Sequence, residues 1–500
     1  MSTPGRLTGE VGARTRRLIY GELAPSDLQL ELDYLTRVDQ AHLLMLAAQR
    51  LVPVPAVRAL LAGIEQLRAD RYRPLFGRPA PRGIYLMYEG YLSEQLGAQT
   101  GGLLHTGRSR NDLKATITAL RLRDWLLGFG SQAARLEAVL LARARAYRTV
   151  LMPVYTHYQA AMPVSYGYYL LGVARAVGRD LDAIQAAADG LRVCPLGAGA
   201  VAGSDLPIDP ARTARLLGFS RPNPHALDAV ASRDVALRVL AAATGLAITL
   251  SRLAADLQLW STVEFGFVRF PDRLVGGSSA MPQKRNAFLL EHVRAKPALA
   301  IGAWTAAAAA MSSTPFSNSI EVGTEAVSAI WPGLLACEQA VLLCQTLVSG
   351  ARPLPERMRE RALTGYISAT ALANQLVRQA IPFRTAHQLV GDAVRQAVAA
   401  GSTELAGFGP AGWLDGVDQN RLEPAGLLRA QAYGGGPGAF DPAFTESLAD
   451  WSSRRYWYAD WRHEVAEAGS ELAATVRQLL ECRPATASAT DSAAKVWVVI

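Results

Sequence analysis

Cysteine is scarce in this chain of 500 residues, which has only four: Cys194, Cys337, Cys344 and Cys482. Neither their number nor their spacing is typical of a disulfide framework, so we expect buried thiols and a reducing, cytoplasmic compartment. Histidine is also scarce, with seven residues, and no histidine, cysteine and acidic residues share metal-ligand spacing. We therefore expect no disulfide scaffold, no metal site and no cofactor.

Long apolar runs and basic blocks are missing as well. The most apolar run, Pro297 to Met311, is short for a bilayer span. The N-terminal arginines Arg6, Arg14, Arg16 and Arg17 precede no apolar signal core. The net charge of +8 comes from arginines scattered among acidic neighbours, whereas a nucleic-acid surface needs clustered charge. We expect a small anionic substrate, and neither a membrane nor a nucleic-acid partner.

Apolar residues recur mostly at helical spacing, which predicts an all-α protein. Asp234 to Trp260 is predicted to be one long helix that is apolar on more than one face, so we expect it to be buried in an oligomer. A second helix should begin near Asn286 and continue to about Met311. The predicted domains are 1–105, 106–350, which forms the central helical part, and 351–482, followed by a disordered tail at 483–500.

The first of three polar segments is His105-Thr106-Gly107-Arg108-Ser109-Arg110-Asn111-Asp112. Arg110 is suited to clamp a carboxylate through two parallel hydrogen bonds, and Ser109 and Asn111 supply further donors. Strings of this composition also cap helices, so a purely structural role stays open.

The second segment is Tyr155-Thr156-His157-Tyr158-Gln159, at a turn before a helix rich in tyrosine and leucine. His157 is a candidate general acid or base because the ordinary pKa of histidine lies near physiological pH. The alternative is that His157 is an ordinary core or surface histidine.

The third segment, Gly277-Ser278-Ser279-Ala280-Met281-Pro282-Gln283-Lys284-Arg285-Asn286, is called the signature loop below. Lys284 and Asn286 alternate along the chain, so an extended backbone would direct both to one side. Glu291 follows in the next helix, where it is placed to orient a histidine. The alternative is a glycine-serine surface loop that ends in a helix-starting asparagine.

Together the three segments resemble the fumarase/aspartase superfamily and, within it, the argininosuccinate lyases. The signature loop matches Gly-Ser-Ser-x-Met-Pro-x-Lys-x-Asn without a gap, and the other segments match His-Thr-Gly-Arg-Ser-Arg-Asn-Asp and Thr-His-x-Gln. The likeness spans roughly residues 30 to 440 in matching order. It implies a three-domain fold with a long central helical bundle. It also implies a homotetramer with a twenty-helix core, whose active sites each take segments from three chains.

The resemblance further implies a carbon–nitrogen lyase that splits an N-succinyl compound into fumarate and an amine by reversible β-elimination. By motif position, Ser278 would remove the Cβ proton, while Lys284 and Asn286 hold the carboxylate as its charge develops. His157, helped by Glu291, would assist protonation of the leaving nitrogen. The implied substrate-binding residues are Ser109, Arg110, Asn111, Thr156 and Met281.

Two stretches depart from the argininosuccinate lyase pattern. Arg82-Gly83-Ile84-Tyr85 stands where the family has Glu-Asp-x-His, so an active-site histidine of the family is Tyr85 here. Phe316 to Thr324 replaces the family's Tyr-Asn-x-Asp-x-Gln-Glu-Asp-Lys, which holds the amino-acid part of argininosuccinate. The leading hypothesis is release of fumarate from a different N-succinyl compound in a specialised biosynthetic pathway. Authentic argininosuccinate lyase of arginine biosynthesis and a non-catalytic, crystallin-like protein on the same scaffold are the alternatives.

Overall fold

The computed structural model describes residues 11–21, 24–80, 83–405, 407–431 and 433–481. Arg6, Arg82, Cys482 and the predicted tail at 483–500 lie outside these residues. Helices dominate the described chain, which confirms the all-α prediction.

The α-helices are α1 Ala13–Tyr20, α2 Pro25–Ala48, α3 Val54–Ala69, α4 Ile84–Leu96, α5 Ala98–Gly101, α6 Arg110–Ala146, α7 Tyr166–Ala188, α8 Pro210–Leu216, α9 Ala226–Ala231, α10 Asp234–Trp260, α11 Phe288–Met311, α12 Val327–Gly350, α13 Pro355–Leu363, α14 Ala369–Arg378, α15 Phe383–Ala399, α16 Pro424–Ala430 and α17 Pro437–Glu481. The strands are β1 Leu151–Thr156, β2 Gln159–Ser165, β3 Val193–Cys194, β4 Arg221–Pro222, β5 Val268–Arg269 and β6 Arg352–Pro353. Single 3₁₀ turns lie at Arg73–Leu75, Asp189–Arg192, Asp272–Leu274 and Gln419–Arg421, and Glu321–Ala326 is π-helical.

Five long helices, α6, α7, α10, α11 and α12, form a central bundle around the largest apolar core. The predicted helix from Asp234 to Trp260 is confirmed with those bounds, and the second predicted helix begins at Phe288. Helix α10 packs against α7, α11 and α12, so much of its apolar surface is already covered inside the protomer. Its burial in an oligomer stays a prediction.

Side-chain contacts fix the directions of these helices. Helices α6 and α12 run parallel, because Arg121 stacks over Trp331 at 4.0 Å near their beginnings and Arg143 donates to the Ser349 carbonyl at 2.7 Å near their ends. Strands β1 and β2 form an antiparallel hairpin between the end of α6 and the start of α7. One end of the bundle, called the hairpin end below, carries the β1–β2 hairpin and the last turns of α6 and α12. The other end, called the opposite end, carries the first turns of α6 and α12.

The two next largest apolar cores lie beside the bundle. One joins α2, α3, α4, the first turns of α6 and the last turns of α17; the other joins α14 and α15. Helix α17 is attached along the bundle by Arg454, which forms ion pairs with Glu137 of α6 at 2.9 Å and with Asp182 of α7 at 2.6 Å. The domain boundaries 1–105, 106–350 and 351–482 stay predictions.

The prediction of buried thiols is confirmed for Cys194, Cys337 and Cys344, which are free and buried. Two stretches, Asp234–Trp260 and Glu321–Gly350, are long and apolar enough to cross a membrane by length and composition alone. Both lie in the bundle, and 44% of the apolar window of each is buried there.

Candidate active site

The signature loop is closed at its base and exposed along most of its length. Gly276 and Asn286 exchange backbone hydrogen bonds of 2.8 Å in each direction. Arg285 forms an ion pair with Asp272 and donates to the Phe270 carbonyl at 3.0 Å, which anchors the returning strand. The loop is thus held at its two ends, while its tip is open to solvent.

The hydroxyl oxygen of Ser278 accepts hydrogen bonds from two backbone N–H groups, Met281 at 3.1 Å and Ala280 at 3.3 Å. Donors aimed at an oxygen stabilise its deprotonated form more than its neutral form. The loop therefore supplies local stabilisation for an oxygen that is to act as a base. The same pattern is an ordinary serine turn, so these bonds are compatible with both interpretations.

His157 lies at the tip of the β1–β2 hairpin and is exposed. His157 and Tyr158 have φ angles of +51° and +61°, and the flanking Thr156 and Gln159 are paired. Two consecutive positive φ angles in a two-residue loop give the tight turn that matches strand twist, normally built from asparagine and glycine. Residues of other types at such positions cost on the order of 1 kcal/mol each, and this strain is typical of functional sites.

Ser109 is the N-cap of α6 and forms a capping box with Asp112. Asp112 is buried and also accepts from the backbone N–H groups of Gly197 at 3.1 Å and Gly199 at 2.9 Å. Asn111 donates to the Ala200 carbonyl at 3.1 Å. The structural interpretation of this segment is therefore correct for Asp112 and in part for Ser109. Arg110 is exposed and lies at the N-terminus of α6, a position that favours the binding of anions.

A buried polar cluster lies behind this helix start, and it joins His105 and Arg108 of the first polar segment to Tyr85 of α4 and Asp39 of α2. Asp39 and Arg108 form an ion pair of 2.6 Å with both side chains fully buried. Arg108 also donates to the Tyr85 hydroxyl at 3.2 Å, and that hydroxyl lies 2.8 Å from Nδ1 of His105.

The diverged segment Phe316 to Thr324 lies at the same end of the bundle. Phe316 and Ile320 are 65% and 63% exposed, and the π-helical turn Glu321–Ala326 follows directly. Helices α6 and α12 run parallel, and Arg121 of α6 lies beside Trp331 of α12. Asn111 is ten residues before Arg121 and Glu321 is ten residues before Trp331, so the two residues lie at about the same height along the bundle axis. Single π-helical turns of this kind occur frequently at functional sites.

The protomer does not bring the three predicted segments together. His157 and the signature loop lie at the hairpin end, since Tyr155 packs on Phe265 at 5.5 Å and the loop is tied to Phe270. Ser109 to Asn111 lie at the opposite end, and α6 between them has 37 residues, a length of about 55 Å. Glu291 accepts from Gln258 at 3.2 Å, so its expected action on His157 stays a prediction.

Among the described residues, no group of histidine, cysteine and acidic side chains is arranged to hold a metal ion.

Known proteins resemble this chain along most of its length. The family described as Lyase matches residues 79–302, and the one described as Argininosuccinate lyase C-terminal matches residues 366–407. Argininosuccinate lyase of Methanoculleus marisnigri is 38% identical over 370 residues, which are 74% of each chain. Argininosuccinate lyase of Methanothrix thermoacetophila is 34% identical over 467 residues, 91% of this chain and 93% of that one.

A solved structure gives the same result. The crystal structure of EDDS lyase in complex with formate aligns with a TM-score of 0.82 at 27% identity, over 91% of this chain and 93% of that chain. A variant of EDDS lyase with bound fumarate aligns with the same TM-score. Sequence and fold agree, and this chain belongs to the argininosuccinate lyase family of the fumarase/aspartase superfamily and is a carbon–nitrogen lyase.

Proposed function

We propose that this lyase releases fumarate from an N-succinyl compound by reversible β-elimination and that its leaving amine is not arginine. The observation that carries the second part is the segment from Phe316 to Thr324, which contains no lysine or arginine. An arginine leaving group brings an α-carboxylate, and hydrogen bonds from a lysine or arginine bind a carboxylate about twice as strongly as neutral donors do. Exposed Phe316 and Ile320 beside Glu321 favour an apolar or cationic amine instead.

The reaction follows from the roles of the matched residues. Ser278 takes the proton from Cβ, and the electron pair moves onto the neighbouring carboxylate. Lys284 and Asn286 stabilise that charge, which is the kind of interaction that usually contributes most to catalysis. The C–N bond then breaks, and His157 delivers a proton to the departing nitrogen with the help of Glu291.

Binding of the succinyl group also uses the other end of the bundle. Arg110 and Asn111, with Ser109, hold its carboxylates at the N-terminus of α6, where the helix dipole favours negative charge. Thr156 and Met281 contact the same substrate from the hairpin and the loop. Each of these steps is assigned to side chains of the protein, and none is assigned to a cofactor.

An oligomer is required because the two ends of one bundle lie about 55 Å apart along α6. Antiparallel packing of copies would place the hairpin end of one protomer beside the opposite end of another. Exposed apolar residues on the outer helices, Leu299, Ile301 and Trp304 of α11 and Leu335 of α12, support such packing. Four copies of the five-helix bundle give a homotetramer with a twenty-helix core and shared active sites.

The decisive experiment follows fumarate absorbance when purified protein is incubated with argininosuccinate and with a panel of other N-succinyl amines. We expect turnover of a member of the panel and none of argininosuccinate at ordinary enzyme rates of about 1–10³ s⁻¹. Fast turnover of argininosuccinate would instead establish the authentic enzyme of arginine biosynthesis, which the identity of 38% to such an enzyme favours.

A non-catalytic, crystallin-like protein is the remaining alternative. It predicts no fumarate release from any N-succinyl amine and no fumarate binding by calorimetry. The biosynthetic pathway and the cytoplasmic compartment stay predictions.

A further inference from the structure

Tyr85 and His105 are joined across two elements that the reaction scheme above does not use. Tyr85 lies in the first turn of α4 and is 7% exposed, while His105 lies in the loop that leads into α6. The Tyr85 hydroxyl is 2.8 Å from Nδ1 of His105, and the two ring centroids are 5.2 Å apart. The contact therefore ties the orientation of the imidazole to the core.

The partners of Tyr85 determine which nitrogen of His105 carries the proton. Arg108 donates to the Tyr85 oxygen at 3.2 Å, and a guanidinium has no acceptor, so the single proton of the phenol is available to Nδ1 of His105. Glu89 lies near the same hydroxyl, but the contacts of that hydroxyl that have hydrogen-bond geometry are those with Nδ1 of His105 at 2.8 Å and with Arg108 at 3.2 Å. A neutral imidazole that accepts at Nδ1 donates through Nε2.

His105 is neutral at physiological pH. Burial, together with the charges of Arg108 and Arg110, lowers the pKa of its imidazole to about 4. His105 lies in the loop directly before α6, and α6 begins at Arg110, so the ring lies at the same end of the bundle as the cation proposed to bind the succinyl carboxylate. His105 thus presents a fixed N–H donor, without a charge of its own, at the anion-binding end of the bundle.

The loop that carries His105 is fixed at two residues that follow the histidine, Thr106 and Arg108. His42, whose pKa is lowered by burial, donates through Nε2 to the Thr106 carbonyl at 2.8 Å. Arg108 is fixed by its buried ion pair with Asp39 at 2.6 Å. These anchors mean that the imidazole does not need to reorganise when an anion arrives, which is the condition for efficient electrostatic stabilisation.

We infer that His105 binds a succinyl carboxylate through its Nε2–H and that Tyr85 is the residue that positions it. This inference rests on the proposed lyase reaction and deepens it, because it adds a donor to the substrate site. It also gives a chemical role to Tyr85, one of the two departures from the family pattern.

The test compares two substitutions of His105. The carboxamide nitrogen of His105→Gln reaches the position of Nε2, whereas that of His105→Asn reaches only the position of Nδ1. We expect His105→Asn to raise KM for the turned-over N-succinyl compound roughly 10- to 100-fold, the range for a hydrogen bond to a charged group. The Kd for succinate, measured by calorimetry, should rise in parallel, kcat should change less, and His105→Gln should restore most of the affinity.

Tyr85→Phe should raise KM and the succinate Kd by a smaller factor, since the donor remains but its orientation is no longer fixed. In the double variant Tyr85→Phe/His105→Gln, KM should equal that of His105→Gln alone, because glutamine has no atom at Nδ1 for the hydroxyl to hold. The matched control is Tyr72→Phe. It removes a buried hydroxyl of the same core, which contacts Asp33 at 2.8 Å and Thr36 at 3.0 Å, and should leave KM unchanged.

Two outcomes would overturn the inference while leaving the proposed function intact. The first is that the wild-type enzyme releases fumarate and His105→Asn changes neither KM nor the Kd for succinate. The other is equal changes in Tyr85→Phe and Tyr72→Phe, which would show that the hydroxyl only stabilises the core. Absence of fumarate release by the wild-type protein is a different result and counts against the proposed function itself.

Discussion

Gly276 and Asn286 exchange two backbone hydrogen bonds of 2.8 Å, and this pairing makes the signature loop a closed structure in the isolated protomer. Inside the closure, Ser278 receives N–H bonds from Met281 and Ala280. The serine oxygen is therefore already in a stabilising environment before substrate binds. In the protomer, most residues of the loop remain exposed to solvent.

Replacing Ser278 by alanine should abolish this base without harming the fold. We expect kcat for the N-succinyl substrate to fall by about 10²- to 10⁴-fold, the usual contribution of a general acid or base. Fumarate absorbance measures the rate, and circular dichroism checks the fold. Ser279→Ala, next to it on the exposed loop, is the matched control. A Ser278→Ala enzyme with the full rate would remove that residue from its assigned role.

His157→Asn tests the hairpin tip with little structural damage. Asparagine tolerates the φ of +51° found here, so the tight turn should form as before. We expect turnover to fall by about 10²- to 10⁴-fold, because the proton for the leaving nitrogen is lost. The control is Tyr158→Phe, which alters the other residue of the turn. Equal rates for His157→Asn and the wild type would exclude His157 from proton transfer.

Sharing of sites between copies predicts complementation between two inactive variants. Ser278→Ala damages the hairpin end and Arg110→Ala the opposite end, which one protomer holds about 55 Å apart. Random mixed oligomers, made by co-expression, should regain roughly a quarter of the wild-type sites, since each site draws the two segments from different copies. Mixed oligomers as inactive as both parents would contradict shared sites.

Leu299 of α11 is 57% exposed in the protomer and is expected to be buried between bundles. A carboxylate there would have to be desolvated on assembly, so Leu299→Glu should yield smaller species and little fumarate-forming activity. Size-exclusion chromatography with light scattering measures the change. Val398→Glu, at an exposed apolar position on α15, is the control and should assemble normally. Intact tetramers of Leu299→Glu would place the interface elsewhere.

Glu137 should make the stability of the protein depend on pH. Burial raises the pKa of Glu137 from 4.5 to about 7, although Arg454 opposes the shift. Between pH 4.5 and about pH 7, Glu137 keeps a proton in the folded protein that it loses in the unfolded chain. The contribution of this proton to the free energy of unfolding is therefore complete below about pH 4.5 and is lost as the pH rises to about 7.

The variant Glu137→Gln should remove that dependence, which is worth on the order of 3 kcal/mol because burial raises the pKa from 4.5 to about 7. We expect the thermal midpoint of the wild type to fall more between pH 5 and pH 8 than that of the variant. Glu446→Gln, which changes the exposed partner of Arg175, is the control. Parallel pH curves for wild type and Glu137→Gln would refute the assignment.

Much of the fold was predictable because its signals are local. The apolar periodicity of Asp234 to Trp260 gave a helix with the same bounds, since a helix is set by residues three and four apart. The signature loop, the hairpin histidine and the Ser109–Asn111 string were likewise visible, because each lies in one short run of sequence.

The buried contacts behind the site were not predictable from those runs. Asp39 and Arg108 are 69 positions apart, and no pattern in α2 or in the loop before α6 predicts that they meet as a buried pair at 2.6 Å. The same holds for Tyr85 and His105, where only the packing of α4 against the loop shows that a departure from the family pattern lies against a histidine.

By itself, then, the sequence determined which chemical groups this lyase carries, in Ser278, Lys284, Asn286 and His157, because side-chain chemistry is encoded one residue at a time. The tertiary structure decided where those groups lie. The parallel course of α6 and α12 places Asn111 level with Glu321 and about 55 Å from the hairpin end. That separation depends on how long helices pack side by side, a property of contacts far apart in the chain, and it is the physical reason why one protomer alone does not bring Asn111 beside Ser278 and His157.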